Sequence, residues 1–93
     1  MNCKHYKIKV EGKVQGVWFR KYTNDKAQSS NLNGFVRNEP DGSVYIEVES
    51  DQEDKLNEFI QWLYQGSPLS KVDNVSILEG SSCQNFDGFV IQR

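Results

Sequence analysis

Tyr6, Ile8 and Val10 alternate with Lys7, Lys9 and Glu11, the period-two pattern of a strand with one buried face. Gly12 is expected to end it, and the loop from Lys13 to Val17 carries a second glycine, Gly16. From about Trp18 to Ser30 neither glycine nor proline interrupts the chain. Phe19, Thr23 and Ala27 recur there every fourth residue, along one face of a helix. Asn31 stands where that helix should stop; after glycine, asparagine best tolerates the left-handed position beyond a helix C-terminus. Phe35-Val36-Arg37-Asn38 reads as a second strand. Glu39-Pro40-Asp41-Gly42 is a turn, with proline presetting φ and Asp-Gly tolerating the tight return. In a third strand Val44, Ile46 and Val48 point inward and Tyr45, Glu47 and Glu49 outward, and the two strands should form a hairpin.

Ser50 and Glu53 form the pair of a capping box, and acidic residues crowd the turn that follows, where the helix dipole favours them. Leu56, Phe59, Ile60 and Leu63 then fall at i, i+3, i+4 and i+7, a single apolar stripe facing a sheet. Gly66 and Pro68 stop this second helix. A fourth strand is predicted over roughly Val72 to Leu78, and a short terminal strand holds Phe89 and Ile91. The order, β-α-β-β-α-β plus a short last strand, predicts an α+β fold of the ferredoxin-like split β-α-β plan. An antiparallel sheet would carry both helices on one face, in a single domain covering residues 1–93. That plan hosts many unrelated functions, so activity has to come from particular residues.

A hydrophobic content of 37% with 12% aromatic residues argues against disorder. The opening Met1-Asn2-Cys3-Lys4-His5 lacks the apolar stretch of a secretory signal, and no run approaches a membrane span. A soluble, cytoplasmic protein acting as a monomer, with no membrane partner, is expected. The net charge of −2 provides no basic field for a nucleic-acid backbone, so any anion must be held by a local device. Cys3 and Cys83 are too few and too irregularly placed for a zinc site or a disulfide framework, and reduced thiols are expected. The topology keeps an alternative open. A fourth strand antiparallel beside the first would bring Cys83 near Cys3, and a disulfide then requires Cα atoms within about 7 Å.

Gly12-Lys13-Val14-Gln15-Gly16-Val17-Trp18-Phe19-Arg20 joins a strand to a helix N-terminus. The first helical amides have no intrahelical partner and the dipole places positive potential there, so an anion binds readily. Gly16 lets a ligand approach the backbone, and the planar guanidinium of Arg20 suits phosphate oxygens better than a lysine would. The alternative is a plain tight turn. No Gly-Lys-Ser/Thr follows, which disfavours a nucleoside triphosphate.

This loop, followed by Gly34-Phe35-Val36-Arg37-Asn38 and Asp41-Gly42-Ser43-Val44, resembles the acylphosphatase family. The resemblance runs essentially end to end, through the second helix, Ser67-Pro68 with Val72 and Val75, and the closing Phe89-Val90-Ile91-Gln92-Arg93. It departs from the family pattern at Ser30-Asn31, usually Leu-Gly, and at Phe35, usually Trp. The resemblance implies hydrolysis of the carboxyl-phosphate bond of a small acyl phosphate. The backbone amides of Gln15, Gly16, Val17, Trp18 and Phe19 would bind the phosphate with Arg20, and Asn38 would orient water. No metal or other cofactor is implied.

The chemistry suits so small a set. The leaving group is a carboxylate whose conjugate acid has a pKa of about 4, so it needs no general acid. Phosphoryl transfer is then mostly positioning and charge stabilisation. Other readings stand beside these. Asn38, just before Pro40-Asp41-Gly42, is also a natural turn-stabilising residue. Trp18 either lies exposed at the mouth of the site or packs on a neighbouring loop. Phe19 and Tyr22 are expected in the core and Arg37 in solvent. Glu47, Glu49, Asp51 and Asp54 read as a solvated face, and His5 has no visible partner. Two other functions compete. An RNA-binding sheet is disfavoured by the acids around Tyr45. A carbamoyl-transfer module of a larger enzyme is disfavoured by the chain's end at Arg93.

Overall fold

In the computed structural model, which describes residues 3–80 and 82–92, the chain forms seven elements. They are β1 (Lys4–Lys13), α1 (Phe19–Ser29), β2 (Asn33–Asn38), β3 (Val44–Ser50), α2 (Glu53–Gln65), β4 (Lys71–Glu79) and β5 (Phe89–Ile91). The sheet order is β4-β1-β3-β2-β5. β1 lies antiparallel between β3 and β4, and β2 and β3 form the expected hairpin, with Asn38 opposite Val44. The two β-α-β units interleave, giving the split plan read from the element order. One strand corrects the expectation of an antiparallel sheet: β5 runs parallel to β2, Val36 facing Ile91. It reaches that edge after the chain has crossed from β4 at the opposite edge, not by a hairpin.

Both helices pack on the face that carries Ile8, Val10, Val36, Val44, Ile46 and Val48. Phe19, Thr23 and Ala27 of α1 and Leu56, Phe59 and Leu63 of α2 close the core there. Tyr22, expected in the core, is exposed instead, because its helical position turns it away from the Phe19–Thr23–Ala27 stripe. α1 ends as a Schellman motif. The Asn31 N–H donates to the Gln28 carbonyl and the Leu32 N–H to that of Ala27, while Asn31 takes φ 57° and Leu32 is buried. Asparagine thus occupies the left-handed position beyond the helix, as expected.

Two local expectations fail for tertiary reasons. β1 does not stop at Gly12, because β4 pairs with it as far as Lys13, and a register shift at Glu11/Gly12 absorbs the irregularity. Gly12 has φ 129°, and a Cβ there would collide with the Lys71 carbonyl. The capping box does not form either. Ser50 is held in β3 opposite Lys4, its Oγ accepts from the Gln52 N–H at 2.9 Å, and α2 begins behind Gln52 without a side-chain cap.

The other sheet face is not the solvated acidic surface that alternation suggests. His5 is buried on it, with Nδ1 2.8 Å from Glu49 Oε1 and Nε2 2.8 Å from Glu47 Oε1. Glu49 also accepts the Gln84 and Phe86 N–H groups at 2.7 and 2.9 Å, so one carboxylate ties β1 and β3 to the segment after β4. Phe86 covers Phe35 edge-on and lies 5.9 Å from the His5 ring. Tyr45 donates to Glu47, and burial together with that bond lifts its phenol to about 12. Arg37 keeps an exposed side chain, as expected, and lies over the Tyr45 ring at 4.7 Å. Asp51 and Asp54 are exposed, as expected.

Cys3 and Cys83 form a disulfide, with Cα atoms 6.2 Å apart, in place of the expected thiols. The segment after β4 folds back over the start of β1, which brings the two residues together. The bond belongs to conditions that keep thiols oxidised.

Burial works against charge on Glu49, but the hydrogen bonds from Gln84, His5 and Phe86 outweigh it and hold the carboxyl below its ordinary 4.5. A carboxyl lowered in this way adds stability above pH 4.5 and loses it as pH falls through the native value. Denaturant midpoints are therefore expected to decline below pH 4.5, and Glu49→Gln should remove that part of the dependence. Glu49→Ala should cost about 3–5 kcal/mol in urea unfolding, because His5 and two amides lose a buried partner together.

Candidate functional site

The loop Val14–Trp18 leaves β1 and enters α1. Val14 and Val17 are buried, which anchors it in the core, while Gly16 and Trp18 face outward. Ser67 Oγ donates to the Val17 carbonyl at 2.8 Å in the interior. Gln15 Nε2 donates to the carbonyls of Glu39 and Ser43 at 2.9 and 2.8 Å, the two residues that open and close the β2–β3 turn. Sequence reasoning considered only the amide of Gln15 and quoted Ser67 only within a motif. Their partners lie 24 to 50 residues away, so no local signal announces them.

Gly16 (φ 74°) and Trp18 (φ 63°) take left-handed backbone. Left-handed residues set among right-handed ones turn neighbouring N–H groups toward one side, the geometry of an anion-binding nest. Among the described residues the amides of Gln15, Gly16, Val17, Trp18, Phe19 and Arg20 donate to no protein acceptor. The first turn of α1 contains no acid, whereas Glu53 and Asp54 occupy that of α2. The dipole of α2 thus meets its own carboxylates, and that of α1 is left for an anion from outside.

Arg20 is the second residue of α1 and half-buried. Among the described residues its guanidinium makes no ion pair or hydrogen bond. Arg37 by contrast is committed, to the Tyr45 ring and to Glu39 at 3.3 Å. Phe19, the first residue of α1, contributes its side chain to the core and leaves only its amide for a ligand.

Asn38 is the last residue of β2, and its Oδ1 is buried without a hydrogen-bond partner. The adjoining turn is held by Asp41, which accepts from the Ser43 N–H and Oγ and pairs with Lys9 at 2.9 Å. The bonds from Ser43 and then Lys9 hold the Asp41 carboxyl well below its usual range. Asn38 Oδ1 takes no part in that turn. A buried acceptor without a partner is uncommon, and this one suits a water that donates to it. Arg20 and Asn38 do not touch through any hydrogen bond. Gln15 fastens the loop that leads to Arg20 onto Glu39, the residue after Asn38.

Beside the loop opens a groove of about 520 Å³, walled by Val14, Gly16, Trp18, Phe19, Arg20 and, from the edge strand β5, Ile91. Trp18 is exposed and borders this groove. The opposite sheet face offers little to stacked bases, since Phe35 is buried under Phe86 and Tyr45 is engaged with Arg37 and Glu47.

A sequence profile of the acylphosphatase family matches residues 6–91. The chain is 41% identical over 86 residues to an acylphosphatase of Bacillus licheniformis, covering 92% of this chain and 94% of that protein. The crystal structure of acylphosphatase from Bacillus subtilis superposes with a TM-score of 0.91 at 37% identity, over 97% of this chain and 99% of that one. HypF from T. kodakarensis superposes with a TM-score of 0.81 at 32% identity, over 97% of this chain but only 12% of that one.

Proposed function

Because the chain belongs to the acylphosphatase family, we propose that it hydrolyses the carboxyl-phosphate bond of small acyl phosphates at the start of α1. The observation that carries this reading is the set of amides from Gln15 to Arg20 that lack a protein acceptor, next to a guanidinium with no partner among the described residues. The Gln15, Gly16, Val17, Trp18 and Phe19 amides and Arg20 bind the phosphate oxygens. Asn38 Oδ1 accepts a hydrogen bond from the attacking water and aims its oxygen at phosphorus.

Asparagine is no base, so the proton has to go elsewhere. As the water oxygen bonds to phosphorus, the bond from phosphorus to the acyl oxygen breaks and its electron pair leaves on the carboxylate. The water's proton passes to a phosphate oxygen. Carboxylate and inorganic phosphate are the products, and no covalent enzyme intermediate forms. The leaving group's weak basicity removes the need for a general acid or a metal.

The enzyme is a cytoplasmic monomer on this reading, with no nucleic-acid or membrane partner, and in that reducing compartment Cys3 and Cys83 are thiols. Reduction of Cys3–Cys83 leaves the site in place, since the bond lies at the start of β1 and the loop follows its end, about 30 Å of strand away.

The test is hydrolysis of an aryl acyl phosphate and of carbamoyl phosphate in the presence of a chelator. Turnover of both, with competitive inhibition by inorganic phosphate, is the expected result. Activity confined to carbamoyl phosphate would favour the carbamoyl-transfer reading, and a phosphoryl-enzyme trapped with labelled substrate would exclude direct attack by water. Gln15→Ala should unfasten the loop from the β2–β3 turn. A misplacement of about 1 Å can cost about 10²-fold, so kcat should fall toward that limit while circular dichroism remains native.

A further inference from the structure

Trp18 holds left-handed backbone, φ 63° and ψ 16°, where a bulky side chain crowds the main chain. Its indole is exposed, so side-chain burial does not offset that strain. A flip of the peptide between Val17 and Trp18 would relieve it. Such a flip changes ψ of Val17 and φ of Trp18 together, and carries Trp18 into the broad β region. Strained backbone persists only where surrounding structure imposes it, so some contact has to oppose the flip.

That contact comes from the C-terminal end of α2. Ser67, buried in the turn after the helix, donates its hydroxyl to the Val17 carbonyl at 2.8 Å. The turn is itself held. The Ser70 N–H and hydroxyl both donate to the Ser67 carbonyl, at 3.0 and 2.8 Å. It also lies close against the start of α1, since a Cβ on Gly66 would come within 3.3 Å of the Phe19 ring. The Val17–Trp18 peptide is trans, so its carbonyl and its N–H point in opposite directions. A carbonyl drawn inward to Ser67 therefore turns the Trp18 N–H away from the interior, and that N–H donates to no protein acceptor among the described residues. After a flip the N–H would face inward and a carbonyl oxygen would face the anion.

We propose that Ser67 is a positioning residue, whose hydroxyl holds the Val17–Trp18 peptide with its N–H toward the phosphate. The inference rests on the hydrolase reading and adds a residue that orients its anion cradle. Ser67→Ala should weaken inhibition by inorganic phosphate about tenfold, through the lost bond and the strain it no longer restrains. Trp18→Gly supplies the rescue, because glycine takes left-handed backbone without steric cost. In a Trp18→Gly background Ser67→Ala should cost only about two- to threefold.

Amide proton–nitrogen NMR during a titration with inorganic phosphate reads the peptide itself. In wild type the Gly16 and Trp18 amides should both shift. In Ser67→Ala the Trp18 amide should lose most of its response while Gly16 keeps its own. A Trp18 response preserved in Ser67→Ala would overturn the proposal. So would an equal loss of phosphate affinity with and without Trp18→Gly, which would mean that the alanine loosens the turn as a whole. If no loop amide of the wild type responded to phosphate, the hydrolase reading would fall and the role of Ser67 with it.

Discussion

Arg20→Ala is expected to lower kcat/KM for an acyl phosphate by at least about 10²–10³-fold, or about 2.7–4 kcal/mol of transition-state stabilisation. The guanidinium is the one side-chain charge assigned to the phosphate, in a protein whose net charge of −2 supplies no attractive field. Inhibition by inorganic phosphate should weaken in parallel, because ground state and transition state share these oxygens. Arg20→Lys should recover little, since an ammonium cannot reproduce the two parallel donors of the fork. Arg20 has no protein partner among the described residues, so the thermal unfolding midpoint should hardly move. Steady-state kinetics with both variants, with unfolding measured in parallel, checks the assignment. Near-wild-type turnover in Arg20→Ala would remove the residue from the mechanism.

The second large effect is on turnover rather than binding. Asn38→Ala should lower kcat by about 10²-fold, the cost of a nucleophile no longer held at its attack position, with KM nearly unchanged. Phosphate inhibition should be retained, because Asn38 is assigned to water. Its side chain makes no hydrogen bond through Oδ1 to the rest of the protein, so the loss cannot be put down to a broken turn. Asn38→Asp separates geometry from charge: it keeps an acceptor in place but brings a carboxylate toward a dianion, and should also be slow. A rise in KM with kcat intact would mean that Asn38 binds substrate and does not place water.

The two sites of action differ in how far they could be read from sequence. The loop amides and Arg20 fall within one short stretch, where a strand ends, a glycine follows and a helix begins; local chemistry there allows an anion or a plain tight turn, and the resemblance to the family favoured the anion. Asn38 is ambiguous in sequence, because asparagine before Pro40-Asp41-Gly42 serves a turn equally well. The tertiary structure adds that Asp41 and Ser43 hold that turn and that Asn38 Oδ1 is left buried and unpaired. Gln15 and Ser67, which pin the loop, gave no sequence signal of that role. Their bonds are to carbonyl groups, which every residue carries.

Alternation and helical spacing gave the order of the elements, the hairpin and most of the core, Tyr22 excepted, because they express a periodicity the backbone imposes on neighbours. Asn31 likewise announced the end of α1. The far face of the sheet escaped that logic. Alternation there predicts water, yet His5, Glu47 and Glu49 are drawn together and covered by a segment some 35 to 80 residues distant in the chain. The parallel β5, the extension of β1 past Gly12, the lost capping box and the Cys3–Cys83 bond were also decided there. Each depends on which distant strand or segment lies alongside, and that is settled by closing one core, not by any local run of residues.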